Sequence, residues 1–352
     1  MMVQADTIPA GSIRVVARLP GGEQEGLLLA VTPAAEPETT RLVRLTPEGP
    51  GRPCPPELRE QAEAAARRYL AHPPLPSLPD RRDPALMGVL NLTPDSFSDG
   101  GLWNEPDRAV ARVVTMLEEG ADIIDLGGES TRPGARPVPV PEELDRVLPV
   151  LDRIRKLGDF PISIDTRKAA VARAALAAGA DWVNDVSALG DPEMATLCAE
   201  TDCPVVLMHM RGTPETMQQG ISYRDPVAQI YAWLRERVEQ ARRAGIPERN
   251  LLVDPGIGFG KRVEDNLEIL RRLGEFRTLG LPILVGTSRK SFIGACLDRP
   301  VTDRLFGTAA TVAAAVLAGA RVLRVHDVAA MGDTARMAAA LRRDRSGGGR
   351  AG

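Results

Sequence analysis

The chain has 352 residues, a formal net charge of −3 and 43% hydrophobic residues, so it can bury at least one sizeable core. Acidic and basic residues number 47 and 44 without blocks of like charge, which argues against nucleic acid or a membrane surface as a partner. With neither a signal-like N-terminus nor an apolar run of the roughly 20 residues needed to cross a bilayer, we expect a cytoplasmic protein acting on small molecules.

Residues 1–80 differ in composition from the rest of the chain. They contain no lysine and end in HPPLPSLPD, which predicts a stiff extended linker. Before the linker, SIRVVARL, GLLLAV and TRLVRL predict three short strands, and PPELREQAEAAARRYLA predicts a helix. We therefore predict an α/β extension with a structural or interfacial role over residues 1–80, a main domain over 81–343 and a disordered tail over 344–352.

From residue 85 onward, short apolar runs alternate with longer amphipathic ones through eight cycles. The predicted helices include 105–120, 141–157, 167–179, 225–245 and 303–319, several of which begin at Asp or Pro and end at Gly. Eight β/α units in roughly 250 residues predict a (β/α)8 TIM barrel, with a doubly wound parallel sheet as the alternative. The predicted strands are 86–91, 122–127, 161–165, 181–185, 204–209, 250–254, 281–286 and 321–326.

Polar side chains stand at the carboxyl end of every predicted strand. Any one of them could be an ordinary helix cap, but in a TIM barrel these ends meet at one mouth, where active sites lie. The residues are Asn91, Asp125, Asp165, Asn184 with Asp185, His209, Asp254, the TSRK of 287–290, and His326. Eight polar ends therefore predict a shared site.

The residue types at these ends suit a flat, hydrogen-bonding heterocycle joined to an anion. A carboxylate such as Asp165 or Asp254 can accept two parallel N–H bonds from the amidine-like edge of a pterin or guanine, and Asn184 adds an amide. Cations and backbone donors in STRPGAR (130–136), TSRKSFIG (287–294) and LRVH (323–326) suit a phosphate or carboxylate group.

The stretch DPGIGFGK (254–261) is not a P-loop, because Pro255 replaces the required first glycine and Arg262 follows Lys261. Its glycines instead predict close backbone approach to a planar ligand, with Phe259 as a stacking wall. Only four of the 44 basic residues are lysines, and three of those four, Lys168, Lys261 and Lys290, fall in motifs of the predicted mouth. We interpret a retained lysine as a place where a compact point charge is needed.

Four cysteines, Cys54, Cys198, Cys203 and Cys296, lack CxxC spacing and nearby His pairs. We interpret them as small buried side chains rather than as metal ligands or disulfides.

From about residue 85 to 340 the sequence closely resembles dihydropteroate synthase. The first two of the matching motifs are long and highly specific. The motifs are MGVLNLTPDSFSDGG (87–101), GADIIDLGGESTRPGA (120–135), SIDTRK (163–168), VNDVSAL (183–189), VVLMHMRGTPETMQ (205–218), DPGIGFGK (254–261), GTSRKSFIG (286–294) and RVHDV (324–328).

The resemblance implies a TIM-barrel transferase of folate biosynthesis. The implied reaction joins 6-hydroxymethyl-7,8-dihydropterin diphosphate to p-aminobenzoate and releases 7,8-dihydropteroate and diphosphate. It also implies a homodimer formed through barrel helices near the C-terminus. Open alternatives are a methyltetrahydrofolate–corrinoid methyltransferase relative, against which the STRPGA and GTSRKSFIG motifs argue, and a non-catalytic pterin-binding paralogue.

The resemblance also assigns site residues. The pterin would be held by Asp125, Asp165, Asn184, Asp254, Lys290 and Arg324. The aminobenzoate pocket would be formed by Phe97, Thr131, Pro133, Phe259 and Ser288. The diphosphate would be bound by Arg132, Arg324 and His326, with Asn91 as ligand of an accompanying Mg²⁺. The residues with catalytic roles would be Asp125, Arg132, Lys290, Arg324 and His326.

The loop NLTPDSFSDGG (91–101) combines the implied metal ligand Asn91 with Phe97 of the implied aminobenzoate pocket. We hypothesise that Asp95, Asp99 and the glycines let this loop fold over the bound diphosphate as a mobile cover.

Overall fold

The structure of the protein is a computed structural model. It describes residues 12–19, 26–32, 41–46, 49–50, 59–78, 81, 83–93 and 105–342. Among these ranges, no helix combines the length and the apolar character needed to cross a bilayer.

The N-terminal segment contains the predicted strands and helix. A four-stranded antiparallel sheet in the order β1-β2-β3-β4 precedes one helix, and β4 is a two-residue strand that the sequence did not predict. The elements are β1 (Ser12–Leu19), β2 (Gly26–Thr32), β3 (Arg41–Thr46), β4 (Gly49–Pro50) and α1 (Arg59–Leu70). Helix α1 contacts the 3-10 helix Leu273–Leu279, where Arg68 Nε donates to the carbonyl of Thr278 at 2.9 Å.

The predicted eight-stranded parallel barrel is confirmed. The strands pair in the order β10-β9-β8-β7-β6-β5-β12-β11, and a parallel bridge between Val253 and Ile283 joins the two end strands. This closure excludes the doubly wound alternative. The strands are β5 (Ala85–Asn91), β6 (Ile123–Gly127), β7 (Ile162–Asp165), β8 (Trp182–Asp185), β9 (Val205–Met208), β10 (Leu251–Asp254), β11 (Leu284–Val285) and β12 (Val322–Val325).

Helices follow the strands and cover the outside of the barrel. The capping of α6 agrees with the sequence signal: Pro226 opens the helix and the Asp225 carboxylate accepts a bond from the Ala228 amide at 2.9 Å. The helices are α2 (Glu105–Glu118), α3 (Val140–Arg155), α4 (Ala169–Ala177), α5 (Met194–Thr201), α6 (Pro226–Arg243), α7 (Val263–Arg271), α8 (Ser291–Leu297), α9 (Leu305–Ala318) and α10 (Val328–Arg342).

Side chains alternate between the barrel interior and the layer under the helices, because successive residues of a strand point to opposite faces. In β9, Val206 lies in the interior cluster, whereas Val205 and Leu207 pack in the cluster between sheet and helices. In β8, Trp182 is interior and Val183 packs outside. This alternation decides which polar residues reach the mouth.

The predicted extended linker contains a tight turn that enters the bottom of the barrel. The Leu78 amide donates to the Leu75 carbonyl at 3.2 Å, and Ser77 takes a φ of 58°. Leu75 is 1% exposed and packs with the interior residues Met87 and Trp182. Proline stiffness alone predicts an extended segment. Packing of Leu75, and of the half-buried Leu78, against the barrel interior stabilises the turn instead.

The described cysteines are all free thiols. Cys198 and Cys203 are buried as predicted, but Cys296 is exposed, so the core interpretation was wrong for that residue.

Candidate active site

Arg324 links two carboxylates at the carboxyl end of the barrel. Its Nε donates to Asp125 Oδ2 and its Nη2 donates to Asp165 Oδ2, both at 2.6 Å. The Asn184 side-chain amide also donates to Asp125 Oδ2, at 3.2 Å. The four predicted residues therefore form one hydrogen-bonded cluster, although they come from β6, β7, β8 and β12.

In each carboxylate of this cluster, one of the two oxygens accepts no hydrogen bond from the described residues. Asp125 Oδ1 and Asp165 Oδ1 are both buried and have no hydrogen-bond partner among the described residues. A buried acceptor without a donor is costly, so these two atoms indicate where a ligand's N–H groups would bind. Burial raises the pKa of Asp165 above its ordinary value of 3.8, while the Arg324 guanidinium opposes the shift.

Asp254, at the end of β10, is 5% exposed. Its Oδ1 accepts a bond from the Gly256 amide at 2.7 Å, which fixes the side chain at the start of the glycine-rich loop. Burial raises the pKa of Asp254 to about 6, and the Gly256 hydrogen bond and the charges of Lys290, Lys261 and Arg324 oppose that shift.

The loop after Asp254 approaches the barrel so closely that glycine is required. Gly256 has a φ of +69°, and a Cβ there would lie 1.9 Å from the carbonyl oxygen of His209. The loop also carries Phe259, whose ring lies 4.0 Å from Lys290 Nζ in a cation–π contact. The predicted stacking wall is thus 8% exposed and sits beside a predicted site lysine.

Ser288 and His326 meet at the carboxyl ends of β11 and β12, the strands that follow β10 around the barrel. The Ser288 hydroxyl oxygen lies 3.0 Å from His326 Nδ1 and accepts a bond from the His326 backbone amide at 3.2 Å. Burial lowers the pKa of His326 to about 3, with Arg324 acting in the same direction, so the imidazole is neutral at pH 7. Arg112 of α2 donates to the His326 carbonyl at 2.7 Å and supports this backbone from behind.

The loop after β6 carries Thr131, Arg132 and Pro133 to the rim. Arg132 and Pro133 are exposed, and Thr131 is half-buried. Arg132 and Pro133 line a surface cavity together with Ser130 and with Thr93 of the loop after β5. The Arg132 guanidinium therefore lies exposed at the rim rather than inside the carboxylate cluster.

Asn91 ends β5 next to the carboxylate cluster. It pairs in register with Gly127, and a Cβ built on Gly127 would lie 3.7 Å from Asn91 Oδ1 and 3.6 Å from Asp165 Cβ. The amide oxygen is therefore near Asp165 at the mouth. Phe97, Asp95 and Asp99 lie outside the described residues.

Two of the polar residues at the strand ends do not face the mouth. Asp185 is fully buried and binds its own loop, accepting from the Ser187 and Leu189 amides at 2.8 and 2.7 Å. The His209 ring packs edge-on against Trp233 of α6 at 4.9 Å. Strand alternation explains both, because Asn184 and Met208 occupy the inward positions beside them. The expectation that all eight ends share the site was therefore wrong for these two residues.

A family model described as "Pterin binding enzyme" matches residues 87–326. The dihydropteroate synthase of Synechocystis sp. is 48% identical over 258 residues, which cover 73% of this chain and 89% of that protein. The chain belongs to the dihydropteroate synthase family. The Escherichia coli K12 member is 47% identical over 249 residues, covering 71% of this chain and 88% of its own length.

Solved structures of the dihydropteroate synthase family have the same fold. The Xanthomonas albilineans enzyme with 4-aminobenzoic acid superposes with a TM-score of 0.71 at 46% identity, covering 75% of this chain and 94% of that chain. The Yersinia pestis enzyme with a sulfonamide drug gives a TM-score of 0.71 at 43% identity, over 74% and 94% of the two chains. The family and the TIM barrel expected from the motifs are thereby confirmed.

Sequence reasoning singled out Lys261 and Lys168 as retained lysines but assigned neither of them a partner. Lys261 is 3% exposed, and its Nζ contacts His209 Nδ1 at 3.0 Å, the His209 carbonyl at 3.3 Å and the Phe259 carbonyl at 2.9 Å. Burial lowers the pKa of Lys261 to about 7, while Asp254 opposes the shift. Lys168 joins Glu129 and Glu143 behind the loop after β6. The rarity of lysine was the available signal for both.

Proposed function

We propose that this chain condenses 6-hydroxymethyl-7,8-dihydropterin diphosphate with p-aminobenzoate to form 7,8-dihydropteroate and diphosphate. The observation that carries the proposal is the Arg324–Asp125–Asp165 cluster with its two buried acceptors, Asp125 Oδ1 and Asp165 Oδ1. The Xanthomonas albilineans relative solved with 7,8-dihydropteroate, at 43% identity and a TM-score of 0.68, supports the same reaction.

The pterin site would consist of Asp125, Asp165, Asn184, Asp254, Lys290 and Arg324. Two buried acceptor oxygens and the Asp254 carboxylate suit the N–H donors of a pterin edge. Lys290 supplies a cation held over the Phe259 ring. Burial lowers the pKa of Lys290 to about 8, with Arg324 adding to the shift and Asp254 opposing it.

The aminobenzoate would bind between the rim loop and the glycine-rich loop. Thr131 and Pro133 come from the rim, and Phe259 and Ser288 come from buried positions of the mouth. The family resemblance also assigns Phe97, which lies outside the described residues, to this pocket. The Xanthomonas albilineans relative solved with 4-aminobenzoic acid supports a site for this substrate class.

The diphosphate would lie between Arg132, Arg324 and His326. Arg324 uses Nε and Nη2 for its carboxylates, which leaves Nη1 to donate to an oxyanion. The neutral His326 imidazole contacts Ser288 through Nδ1, so Nε2 is the nitrogen that would face the diphosphate. The exposed Arg132 contributes a guanidinium from the rim.

We also propose Mg²⁺ as the accompanying cofactor, with Asn91 as its protein ligand. The described residues contain no group of three His, Cys, Asp or Glu side chains placed to hold a metal. A single protein oxygen can suffice for Mg²⁺, which keeps several waters and is commonly bound through one or two protein oxygens plus substrate phosphates. The ion would neutralise charge on the departing diphosphate.

In the proposed reaction, the bond between the pterin methylene carbon and the diphosphate oxygen breaks, and its electron pair leaves with the diphosphate. The arylamine nitrogen uses its lone pair to form the new C–N bond and then loses a proton. Asp125 and Asp165 stabilise positive charge on the pterin, while Arg132, Arg324 and His326 bind the leaving group. No protein nucleophile is required, so positioning and electrostatics supply the rate.

The decisive experiment measures dihydropteroate formation from the two substrates, with and without Mg²⁺ and with a sulfonamide competitor. We expect metal-dependent product formation that the sulfonamide inhibits competitively against aminobenzoate. Pterin binding without product, under conditions in which the Escherichia coli enzyme works, would instead support a non-catalytic paralogue. Methyl transfer from methyltetrahydrofolate would support the corrinoid-dependent relative.

The helices near the C-terminus carry apolar side chains that suit a homodimer. Phe306 is 87% exposed, and Met337 and Leu341 are 61% and 67% exposed. Burying such a surface against a second copy would be favourable. Sedimentation of the wild type and of Phe306→Asp tests this proposal, because only the variant should sediment as a monomer.

We further propose a cytoplasmic location. The free thiols of Cys198, Cys203 and Cys296 are usual in a reducing compartment. Fractionation of the producing cells, followed by detection of the chain, tests this location.

A further inference from the structure

We propose that Lys168 and Glu143 are positioning residues for the reaction: through Glu129 they hold the base of the rim loop, residues 130–136, so that Thr131 and Arg132 lie over the mouth. The inference rests on the proposed roles of Thr131 and Arg132.

The network consists of two carboxylates and two cations from three elements. Lys168 Nζ, at the start of α4, donates to Glu143 Oε2 at 2.5 Å and also to Glu129 Oε2. Arg167 Nη2 donates to Glu129 Oε1 at 3.0 Å, so both oxygens of Glu129 are held. Thr166 Oγ1 donates to Glu143 Oε1 at 2.7 Å, so both oxygens of Glu143 are held as well.

Burial makes this network rigid. The Glu143 side chain is fully buried and that of Glu129 is 7% exposed, while Lys168 is 19% exposed. In so little water, hydrogen bonds between charged groups are strong, and a carboxylate left without its cation would be costly. A lysine fits here because a single ammonium can donate to two carboxylates at once.

Helix α3 fixes the backbone directly before Glu129. Arg146 Nη1 donates to the Gly128 carbonyl at 2.8 Å. A Cβ on Gly128 would lie 2.9 Å from both Glu143 Cγ and Val147 Cγ2, so the helix packs against the bare backbone. The base of the rim loop is therefore held by its backbone at Gly128 and by its side chain at Glu129.

The tip of the rim loop has far less support. Arg132, Pro133, Gly134 and Arg136 are exposed, and the tip contacts a neighbouring loop through the Gly134 amide and the Pro214 carbonyl at 3.0 Å. Since one residue separates Glu129 from Thr131, a shift of Glu129 would move both functional residues. Misplacement of a substrate-positioning group by about 1 Å can lower a rate on the order of 100-fold.

The network also links two parts of the site. Thr166, Arg167 and Lys168 directly follow Asp165 of the carboxylate cluster, whereas Glu129 directly precedes the rim loop. The ion network therefore lies between the loop proposed to bind aminobenzoate and diphosphate and the strand proposed to bind the pterin.

The test compares Lys168→Met and Glu143→Gln with the wild type. We expect kcat/KM for aminobenzoate to fall about 10- to 100-fold in both variants. The pterin Kd of Lys168→Met, measured by calorimetry, should change less than about twofold, within the scatter expected for an untouched site. Hydrogen exchange of the amides of residues 128–136 should become faster, and this readout does not depend on activity.

A double variant separates positioning from stability. Lys168→Met combined with Glu143→Gln removes the cation together with the fully buried carboxylate that would otherwise lose its ion pair, while Glu129 keeps Arg167. The thermal midpoint of this double variant should therefore recover towards that of the wild type. The aminobenzoate defect should persist in that double variant. If the defect disappears together with the stability loss, the positioning role is wrong.

Glu275→Gln is the matched control. Glu275 is 2% exposed and accepts from Arg272 Nε at 2.6 Å, in the 3-10 helix next to α1 at the other end of the barrel. It should lower the thermal midpoint without raising the KM for aminobenzoate. If the wild type is active and Lys168→Met has unchanged kinetics and unchanged loop exchange, the positioning inference is wrong, but the proposed function stands. An inactive wild type would overturn the proposed function. In that case, unchanged hydrogen exchange of residues 128–136 in Lys168→Met would still show that the ion network does not hold the base of the rim loop.

Discussion

Arg324 Nε donates to Asp125 Oδ2 at 2.6 Å and so joins β12 to β6 across the mouth of the barrel. The two strands are separated in the sheet by β5, which means that the guanidinium spans one strand. Because one Asp125 oxygen is held in this way and by Asn184, the other oxygen is oriented before any ligand arrives. Such preorganised acceptors need little rearrangement on binding, which favours affinity for a donor-rich ring.

The first prediction concerns Asp254. Replacing it with Ala or Asn should weaken pterin binding by about 1.5–3 kcal/mol, the usual contribution of a hydrogen bond to a charged group. Calorimetric titration with the pterin substrate, at a pH above the Asp254 pKa of about 6, measures the change.

Asp185→Asn is the matched control for Asp254. Asp185 is an equally buried aspartate at the end of a barrel strand, but its carboxylate binds the Ser187 and Leu189 amides. The control should lower stability and leave pterin affinity unchanged. Wild-type affinity in the Asp254 variants would remove Asp254 from the pterin site.

Strand alternation explains which site residues could be predicted from the sequence. Asn184 and Asp185 are adjacent, so only one can face the barrel interior, and the position of Trp182 decides in favour of Asn184. The same reasoning excludes His209 from the mouth, because Val206 and Met208 take the inward positions of β9. Applied to the predicted strands, this rule would have corrected the two wrong residues.

Contacts across the barrel could not be predicted in this way. The bond between Arg324 and Asp125 joins residues 199 positions apart, and that between Lys168 and Glu129 joins two loops. Neither periodicity nor turn chemistry contains information on such pairs. The position of Leu75 was also missed, because its burial depends on the open bottom of a barrel whose strands come later in the chain.

The second prediction is a pH dependence of stability with two opposite limbs. Burial raises the pKa of Asp254 from 3.8 to about 6, so between these values the native chain binds more protons there than the unfolded chain. The free energy of unfolding should fall as pH rises through that window. Burial lowers the pKa of Lys261 from 10.5 to about 7, so between pH 7 and 10.5 the Lys261 contribution should rise with pH.

Urea unfolding from pH 4 to pH 10 checks both limbs. Compared with the wild type, Asp254→Asn should lose the falling contribution below pH 6, and Lys261→Met should lose the rising contribution above pH 7. The difference between wild type and variant isolates each group from the remaining titratable residues. An unchanged slope in either variant would show that the group does not titrate in the stated window.

The third prediction concerns two glycines with similar positive φ angles. Gly256 and Gly134 have φ of +69° and +79°, but only Gly256 is crowded, since its Cβ would lie 1.9 Å from the His209 carbonyl oxygen. Gly134→Ala should cost about 1–2 kcal/mol for the left-handed conformation alone. Gly256→Ala should cost clearly more and should also weaken pterin binding, because the Gly256 amide holds Asp254. If both variants lose the same free energy of unfolding in urea, the close approach of Gly256 to the His209 carbonyl is wrong.

The fourth prediction tests whether the stretch before residue 80 stabilises the barrel. Leu75 is 1% exposed and packs with Met87 and Trp182 in the barrel interior, and Trp182 Nε1 donates to the Ser77 hydroxyl at 3.1 Å. Leu75→Ala should therefore lower the free energy of unfolding by about 2–5 kcal/mol, the usual cost of such a cavity.

Leu70→Ala is the control for Leu75, because Leu70 of α1 is 52% exposed and its truncation should change stability by no more than about 0.5 kcal/mol. The cavity left by Leu75→Ala lies at the bottom of the barrel, while the substrates are proposed to bind at the carboxyl ends of the strands. At a temperature where both variants are folded, their KM values should therefore equal those of the wild type. A loss of stability as small as that of Leu70→Ala would mean that the barrel closes its bottom without Leu75, and that the turn rests on the barrel rather than stabilising it.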